Sequence, residues 1–213
     1  MKDYRKSTIQ EYLIDLSSNK DAPGGGSASA LSAAIGASLG AMICEFTIGK
    51  KKYADVEKRI REILVTVTAS RDKLFELMQE DVNVFHNEMG KAYSLPKETE
   101  EQREKRKQAI EQACKACAKP PIEITRECVN LLKLLAELAE KGNVMLISDV
   151  GVACELLCGA FEGAKLNVEI NLKYINDENF VTKIQEEIIP ASAEVTTLSS
   201  QIMRIVRDKL NGK

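Results

Sequence analysis

The chain has 213 residues, 44% of them hydrophobic and 29% charged, with a formal charge of −2. That length fits one domain with a substantial core, expected over residues 1–213, and the near-neutral balance gives no reason to expect nucleic acid as a partner. Asp3, Glu11 and Asp15 interrupt the start, so no secretory leader is expected and the protein is read as cytoplasmic.

Nearly every segment repeats at helical period and no convincing strand appears, which predicts an all-α bundle of about eight antiparallel helices. Ser7-Thr8-Ile9-Gln10 opens the first helix as a capping-box pattern, with Ile9, Tyr12, Leu13 and Leu16 on one face. Asp21-Ala22-Pro23-Gly24-Gly25-Gly26-Ser27 follows. Three glycines let main-chain N–H groups converge without Cβ obstruction, and Ser27 is read as the N-cap of a helix over 27–48. Unpaired donors and the positive helix end make this a ready anion site; the alternative is a flexible turn before a buried helix. It is not a nucleoside-triphosphate loop, because Gly26 leads into Ser27-Ala28-Ser29 rather than Lys-Ser/Thr.

The 27–48 helix is rich in small residues, with Ala30, Ala33, Ala34, Ala37 and Ala41 beside Gly36 and Gly40, so a neighbour can approach its backbone closely. Ser29, Ser32, Ser38 and Glu45 interrupt it, so no membrane span is expected. Such faces also suggest a homodimer that buries one of them. Gly49 ends the helix. Lys50, Lys51, Lys52 and Tyr53 then either satisfy its C-terminal dipole or form a cationic patch for an acidic ligand.

A long helix is predicted over 54–92, its apolar stripe including Leu77, Met78, Val82 and Phe85. Asp81 falls inside that stripe. A carboxylate there costs free energy unless it is paired or used, so Asp81 is either a functional acid or half of a helix-packing ion pair. Residues 93–104 read as a mobile linker. Thr99-Glu100-Glu101-Gln102 restarts a helix that runs to about Ala118, and another is expected over 121–141 with Gly142-Asn143 as its αL cap. Ser148 is read as the N-cap of the next helix, with Asp149 in its first turn. Asn167 and Asn171, four apart, share one side of it and need partners if buried. The last helix starts near Asp177-Glu178 and is expected to bend near Pro190.

The six cysteines (Cys44, Cys114, Cys117, Cys128, Cys154, Cys158) read as structural thiols. Cys114-x-x-Cys117 lacks a second pair at zinc spacing, and His86 is the chain's one histidine. That lone imidazole also argues against a serine or cysteine triad.

Taken in order, Pro23-Gly24-Gly25-Gly26-Ser27 with its Ala/Gly helix, Gly49-Lys50-Lys51-Lys52-Tyr53, Asp81 with Phe85, Gly142-Asn143, Ser148-Asp149, and Asn167-Val168-x-x-Asn171-Leu172 carry a resemblance. Over essentially its whole length the chain resembles the formiminotetrahydrofolate cyclodeaminase and methenyltetrahydrofolate cyclohydrolase family, without a formiminotransferase half. The resemblance implies an all-α homodimer acting on reduced, potentially polyglutamylated folates, with no metal and no redox cofactor. It implies that Gly24, Gly25, Gly26, Ser27, Lys50, Lys51, Lys52, Tyr53, Asn143, Ser148, Asn167 and Asn171 bind substrate. Asp81 first, and Asp149 second, would move the proton. Hydrolysis of 5,10-methenyltetrahydrofolate to 10-formyltetrahydrofolate is the favoured reaction, and cyclodeamination of 5-formiminotetrahydrofolate is the alternative. A non-catalytic helical scaffold or ligand carrier is the reading of another class. The expectation is that the glycines, the lysines and Asp81 converge on one pocket.

Overall fold

A computed structural model describes residues 2–212. Among them the helical period is realised throughout: α1 Ile9–Leu16, α2 Gly25–Thr47, α3 Glu57–Val84, α4 Gly90–Ser94, α5 Glu100–Cys117, α6 Lys119–Lys141, α7 Ile147–Leu172 and α8 Glu178–Leu210, with no strand. Short 3-10 turns occupy Tyr4–Lys6, Lys51–Val56 and Val144–Leu146. A π-helical turn, Phe85–Met89, joins α3 to α4, so the stripe predicted over 54–92 is a helix interrupted where the backbone gains a residue.

The centre of the bundle is α2, packed against α3, α6 and α7. Its small side chains are what permit this. A Cβ on Gly36 would lie 3.0 Å from Leu157 Cγ and 3.3 Å from the Ala153 carbonyl, so α7 lies almost on the α2 backbone. Moving along α2, Gly25 meets Asn167, Ser29 meets Gly163 and Gly36 meets Leu157, so α2 and α7 are antiparallel. The pairs Gly26–Asp81 and Gly40–Val67 make α2 and α3 antiparallel as well. One pair departs from the expected pattern. Arg126–Glu187 and Lys133–Glu194 advance together along α6 and α8, which therefore run parallel.

The alanines expected to face a second copy are consumed inside the chain: Ala30, Ala33, Ala34, Ala37 and Ala41 are all buried in the main core. What α2 leaves outside is a stripe that includes Ile35 and Phe46. The segments Gly25–Thr47 and Val144–Leu172 are long and apolar enough to cross a bilayer, against the expectation that serines and Glu45 rule this out. Packing against several helices accounts for part of that apolarity: 56% of the first apolar window and 44% of the second are buried, and the rest faces outward.

Two apolar clusters form. The larger joins α1, α2, α3, α6, α7 and α8. The smaller gathers Met89, Cys114, Cys117, Val168, Leu172 and Ile184 from the π turn, α5, the end of α7 and the start of α8. The N-terminal strap is tied to α3 by Gln79, which accepts from the Tyr4 N–H at 2.6 Å and donates to the Lys2 carbonyl at 3.2 Å. Tyr4 and Tyr12 then meet edge to face, and the Tyr12 hydroxyl lies 3.1 Å from the Ser27 hydroxyl at the start of α2.

Several local expectations shift. The first capping box is Thr8 with Glu11, one residue later than read, and α1 buries Tyr12 while Ile9 and Leu13 stay exposed. Gly24, not Ser27, is the residue before α2, because the side-chain-free backbone is already helical at Gly25 and Ser27 is buried in the first turn. Gly142 is extended (φ −74°, ψ 172°) rather than αL. It is glycine for want of space: a Cβ would lie 2.6 Å from the Leu138 carbonyl. Ser148 is exposed inside the first turn of α7, preceded by the Val144–Leu146 turn that Asn143 caps through Met145 N–H. Asp177 caps α8 by accepting from Phe180 N–H at 3.1 Å, and that helix continues through Pro190.

Candidate active site

A cleft of about 270 Å³ lies at the seam between the two clusters. Its walls come from the Asp21–Gly26 turn, Asp81 and Phe85 at the end of α3, Met89, Tyr93, Cys114 and Cys117 of α5, and Asn167, Ile170, Asn171 and Tyr174 at the end of α7. The antiparallel packing explains this gathering. The N-terminus of α2 lies where both α3 and α7 end.

Asp81 is the centre of this arrangement. A Cβ built on Gly26 would fall 2.7 Å from Asp81 Cγ, so the carboxylate occupies the volume that any other residue at 26 would need. The Ser27 backbone N–H points to the carboxylate, and no cation pairs with it among the described residues. The helix-packing ion pair is therefore not what this acid serves. Burial dominates and pushes its pKa from 3.8 to about 6; the Ser27 N–H opposes that shift. The group is thus poised to take or give a proton close to neutrality.

The two asparagines are held from below. Asn167 donates its amide to the Gly163 carbonyl at 2.8 Å, and Asn171 donates to the Asn167 carbonyl at 2.7 Å. Each thereby spends one of its two amide N–H donors on its own helix, which restrains the amide and leaves the second N–H and the Oδ1 for other partners. A Cβ on Gly25 would stand 3.1 Å from Asn167 Nδ2, so this glycine too is demanded by a close neighbour. The cleft thus offers a titratable acid, restrained amides that can donate or accept, the N-terminal donors of α2 and an aromatic rim of Phe85, Tyr93 and Tyr174. Among the described residues no group of three or more His, Cys, Asp or Glu side chains could hold a metal ion.

The sequence-derived residues divide between two ends of the molecule. Gly24, Gly25, Gly26, Asp81, Asn167 and Asn171 line the cleft, and buried Ser27 contributes its backbone N–H. Lys50, Lys51, Lys52, Tyr53, Asn143, Ser148 and Asp149 lie at the far end of α2 and the near end of α7. The 23 residues of α2 put about 35 Å between the two ends. There Tyr53 Oη accepts from Val144 N–H at 3.0 Å, and Asn143 donates to the Phe46 carbonyl at 2.9 Å while its own N–H donates to Thr47 Oγ1 at 2.9 Å. These bonds tie the α2 and α6 termini together, so Tyr53 and Asn143 are occupied by the fold. Within one protomer the expected convergence of lysines and acid does not occur.

Sequence reasoning missed Met89, Tyr93, Cys114, Cys117, Ile170 and Tyr174. Tyr174 continues the spacing of Asn167 and Asn171, a signal that was legible. Cys114 and Cys117 sit in the cleft wall, and burial raises the thiol of Cys117 to about 12, so it is protonated at neutral pH.

Known proteins sharpen this picture. A model of the formiminotransferase-cyclodeaminase family matches residues 8–189. The methenyltetrahydrofolate cyclohydrolase of Methylorubrum extorquens is 38% identical over 204 residues, covering 96% of this chain and 98% of that protein. The formimidoyltransferase-cyclodeaminase of Gallus gallus is 36% identical over 184 residues, 83% of this chain and 34% of its own length, so this chain spans about a third of that larger protein. The crystal structure of formiminotetrahydrofolate cyclodeaminase from Thermotoga maritima superposes with a TM-score of 0.85 at 29% identity, covering 98% of this chain and all of that one.

The close approach of Gly26 and Asp81 has a measurable signature. Gly26→Ala costs about 1–3 kcal/mol of stability in the wild-type background, through overpacking against the carboxylate. In an Asp81→Ala background the same change costs less than about 0.5 kcal/mol, because the obstructing group is gone. Denaturant unfolding of the four proteins measures the coupling, and equal costs in both backgrounds contradict the contact.

Proposed function

The chain belongs to the formiminotransferase-cyclodeaminase family, and from that premise we propose that it is a folate one-carbon enzyme that hydrolyses 5,10-methenyltetrahydrofolate to 10-formyltetrahydrofolate. The observation that carries this reading is Asp81: an unpaired, largely buried carboxylate with a pKa near 6, facing a cleft at a helix N-terminus. The cyclohydrolase is favoured over the deaminase because the Methylorubrum relative matches end to end at 38% identity.

The substrate carries a delocalised positive charge over N5, the bridging carbon and N10. A carboxylate without a counter-ion attracts that charge and is in turn relieved by it. In the hydrolysis, ionised Asp81 takes a proton from water as the oxygen bonds to the bridging carbon. As the tetrahedral adduct breaks its bond to N5, the acid returns the proton to that nitrogen, the adduct's hydroxyl releases its own proton to solvent as the C=O forms, and the formyl group remains on N10, so cation plus water gives a neutral formamide and one proton. Asn167 and Asn171 present acceptors to the N–H edge of the pterin, and the α2 donors take its carbonyl edge. Tyr93 and Tyr174, each 54% exposed, flank the flat aminobenzoyl group. No resident cofactor has a role in these steps.

The second reading is cyclodeamination, supported by the Thermotoga structure, which matches along its full length. There N10 attacks the formimino carbon and Asp81 moves the proton that lets ammonia depart. Both reactions pass through a tetrahedral carbon between the same nitrogens, so one carboxylate serves either. The single domain over residues 1–213 and a cytoplasmic location belong to this proposal.

We further infer a homodimer. Ile35 and Phe46 of α2 and Val152, Leu166 and Ile170 of α7 are exposed, and the two helices pack against each other. Two helices about 35 Å long and 10 Å wide offer roughly 700 Å² per copy, close to what a standard interface needs. Light scattering is expected to give twice the 23.5 kDa chain mass, and Ile35→Glu to shift the population to monomer. A monomeric wild type at micromolar concentration refutes this interface.

Purified protein is expected to bleach the near-ultraviolet absorbance of 5,10-methenyltetrahydrofolate faster than buffer. No acceleration, together with rapid ammonia release from 5-formiminotetrahydrofolate, reverses the assignment. Asp81→Asn should lower kcat by about 10²-fold or more, and wild-type kcat/KM should fall on the acid side with an apparent pKa near 6. The same change should stabilise the fold. The folded-state pKa lies above the unfolded value, so ionising Asp81 opposes folding: the penalty is absent below pH 3.8, builds toward pH 6 and is complete above it. Asp81→Asn therefore gains up to about 3 kcal/mol at pH 8 and nothing at pH 3.5. A gain that is equal at both pH values contradicts the assignment.

A further inference from the structure

Asp81 receives a single donor, the Ser27 backbone N–H. The hydroxyl of the same serine is turned elsewhere: it shares a hydrogen bond of 3.1 Å with the Tyr12 hydroxyl. Both residues are out of water, Tyr12 at 3% exposure and Ser27 at 0%. Among the described residues neither hydroxyl makes another hydrogen bond.

Ser27 is an exception in its helix. Ser29, Ser38 and Thr47 each donate to the carbonyl four residues earlier, at 2.8, 2.8 and 2.6 Å. For Ser27 that carbonyl belongs to Pro23, which precedes α2, so the hydroxyl lies between two other neighbours, the phenol and the carboxylate. In the gauche rotamers of a serine the hydroxyl sits beside the residue's own nitrogen. A carboxylate held by the Ser27 N–H is therefore within reach of the Ser27 O–H after one rotation about χ1. Tyr12 faces the same point. Burial raises its phenol above the usual range, the Ser27 hydroxyl opposes that rise, and the charge on Asp81 adds to it. The Tyr12 ring is fixed from behind by its edge-to-face contact with Tyr4, whose N–H is bound to Gln79, two residues before Asp81 on α3.

Nothing else that faces Asp81 supplies a compensating charge. Asp21 comes from the turn, Tyr93 and Tyr174 from the rim, and Cys114 and Cys117 from α5, both thiols raised by burial and so protonated. No Lys, Arg or His lines the cleft. The number of donors on the carboxylate is then what tunes its proton affinity, since each donor favours the ionised form.

We propose that Tyr12 is a positioning residue for Asp81: its phenol holds the Ser27 hydroxyl away from the carboxylate and keeps that acid on one donor. Its bearing on catalysis rests on the folate reading of the cleft.

The test follows the carboxyl carbon-13 resonance of Asp81, assigned by its loss in Asp81→Asn, through a pH titration of the substrate-free protein. Wild type should titrate near pH 6. Tyr12→Phe removes one oxygen and keeps the ring against Tyr4. The freed Ser27 O–H should turn to Asp81 and bring its midpoint down to about pH 5. Ser27→Ala should keep the wild-type midpoint, and Tyr12→Phe/Ser27→Ala should return to it. In the hydrolysis of 5,10-methenyltetrahydrofolate by Tyr12→Phe, the acid limb of kcat/KM should move with the carboxyl midpoint, and the plateau should fall about threefold as the base weakens. A packing defect alone lowers the plateau and leaves the limb in place. An Asp81 midpoint unmoved in Tyr12→Phe overturns the proposal, and so does a shift that persists in the double variant. A midpoint raised in Ser27→Ala also overturns it, because the serine hydroxyl then already serves the acid; that variant decides the matter should Tyr12→Phe not fold. Midpoints that follow the prediction in a protein that does not turn over the methenyl compound refute the folate reading and leave the hydroxyl arrangement standing.

Discussion

The structure turns on the contact between Gly26 and Asp81. Where α3 ends against the first turn of α2, one position must have no side chain so that a carboxylate can occupy its place. Gly25 does the same for Asn167, and Gly36 lets α7 approach closely enough for that asparagine to arrive. The small residues of α2 are therefore spatial requirements set by two neighbouring helices. Gly24 shows the contrast: nothing stands near it, and its extended backbone is one that any residue can adopt.

That packing also sets the chemistry. A carboxylate withdrawn from water and given one backbone donor, but no cation, holds its proton more tightly than a solvated one. Left alone it destabilises the fold. A cationic substrate removes the imbalance, so on the proposed reading the cost of burying Asp81 and the affinity for the methenyl group are one quantity. Natural proteins tolerate such costs where function requires them and compensate in the surrounding core. Here the compensation is visible in the Gln79 ties to the N-terminal strap and in the Tyr4, Tyr12 and Ser27 contacts beneath the α2 N-terminus.

Much of this was legible in the sequence, and the parts that were not share a physical cause. Helix spans follow from apolar period and capping chemistry, as Thr99 and Asp177 show. Asp81 announced itself as an acid among core positions. Asn167 and Asn171 announced themselves as amides on one face. Sequence reading could not tell which end of a helix a motif would face. Lys50–Tyr53 and Gly24–Ser27 flank the same helix, so both seemed local to it, yet a straight helix keeps its two ends apart. The π turn at Phe85–Met89 was also hidden, because one extra residue in a turn leaves the apolar pattern almost unchanged.

The most direct test is a crystal structure with 5-formyltetrahydrofolate bound. The account predicts the pterin in the cleft, its N5 substituent within hydrogen-bonding reach of Asp81, an Asn167 or Asn171 oxygen on the ring edge, and the glutamate directed past Tyr174. A folate seated among Lys50, Tyr53 and Asn143, with the Asp81 cleft empty, would contradict it.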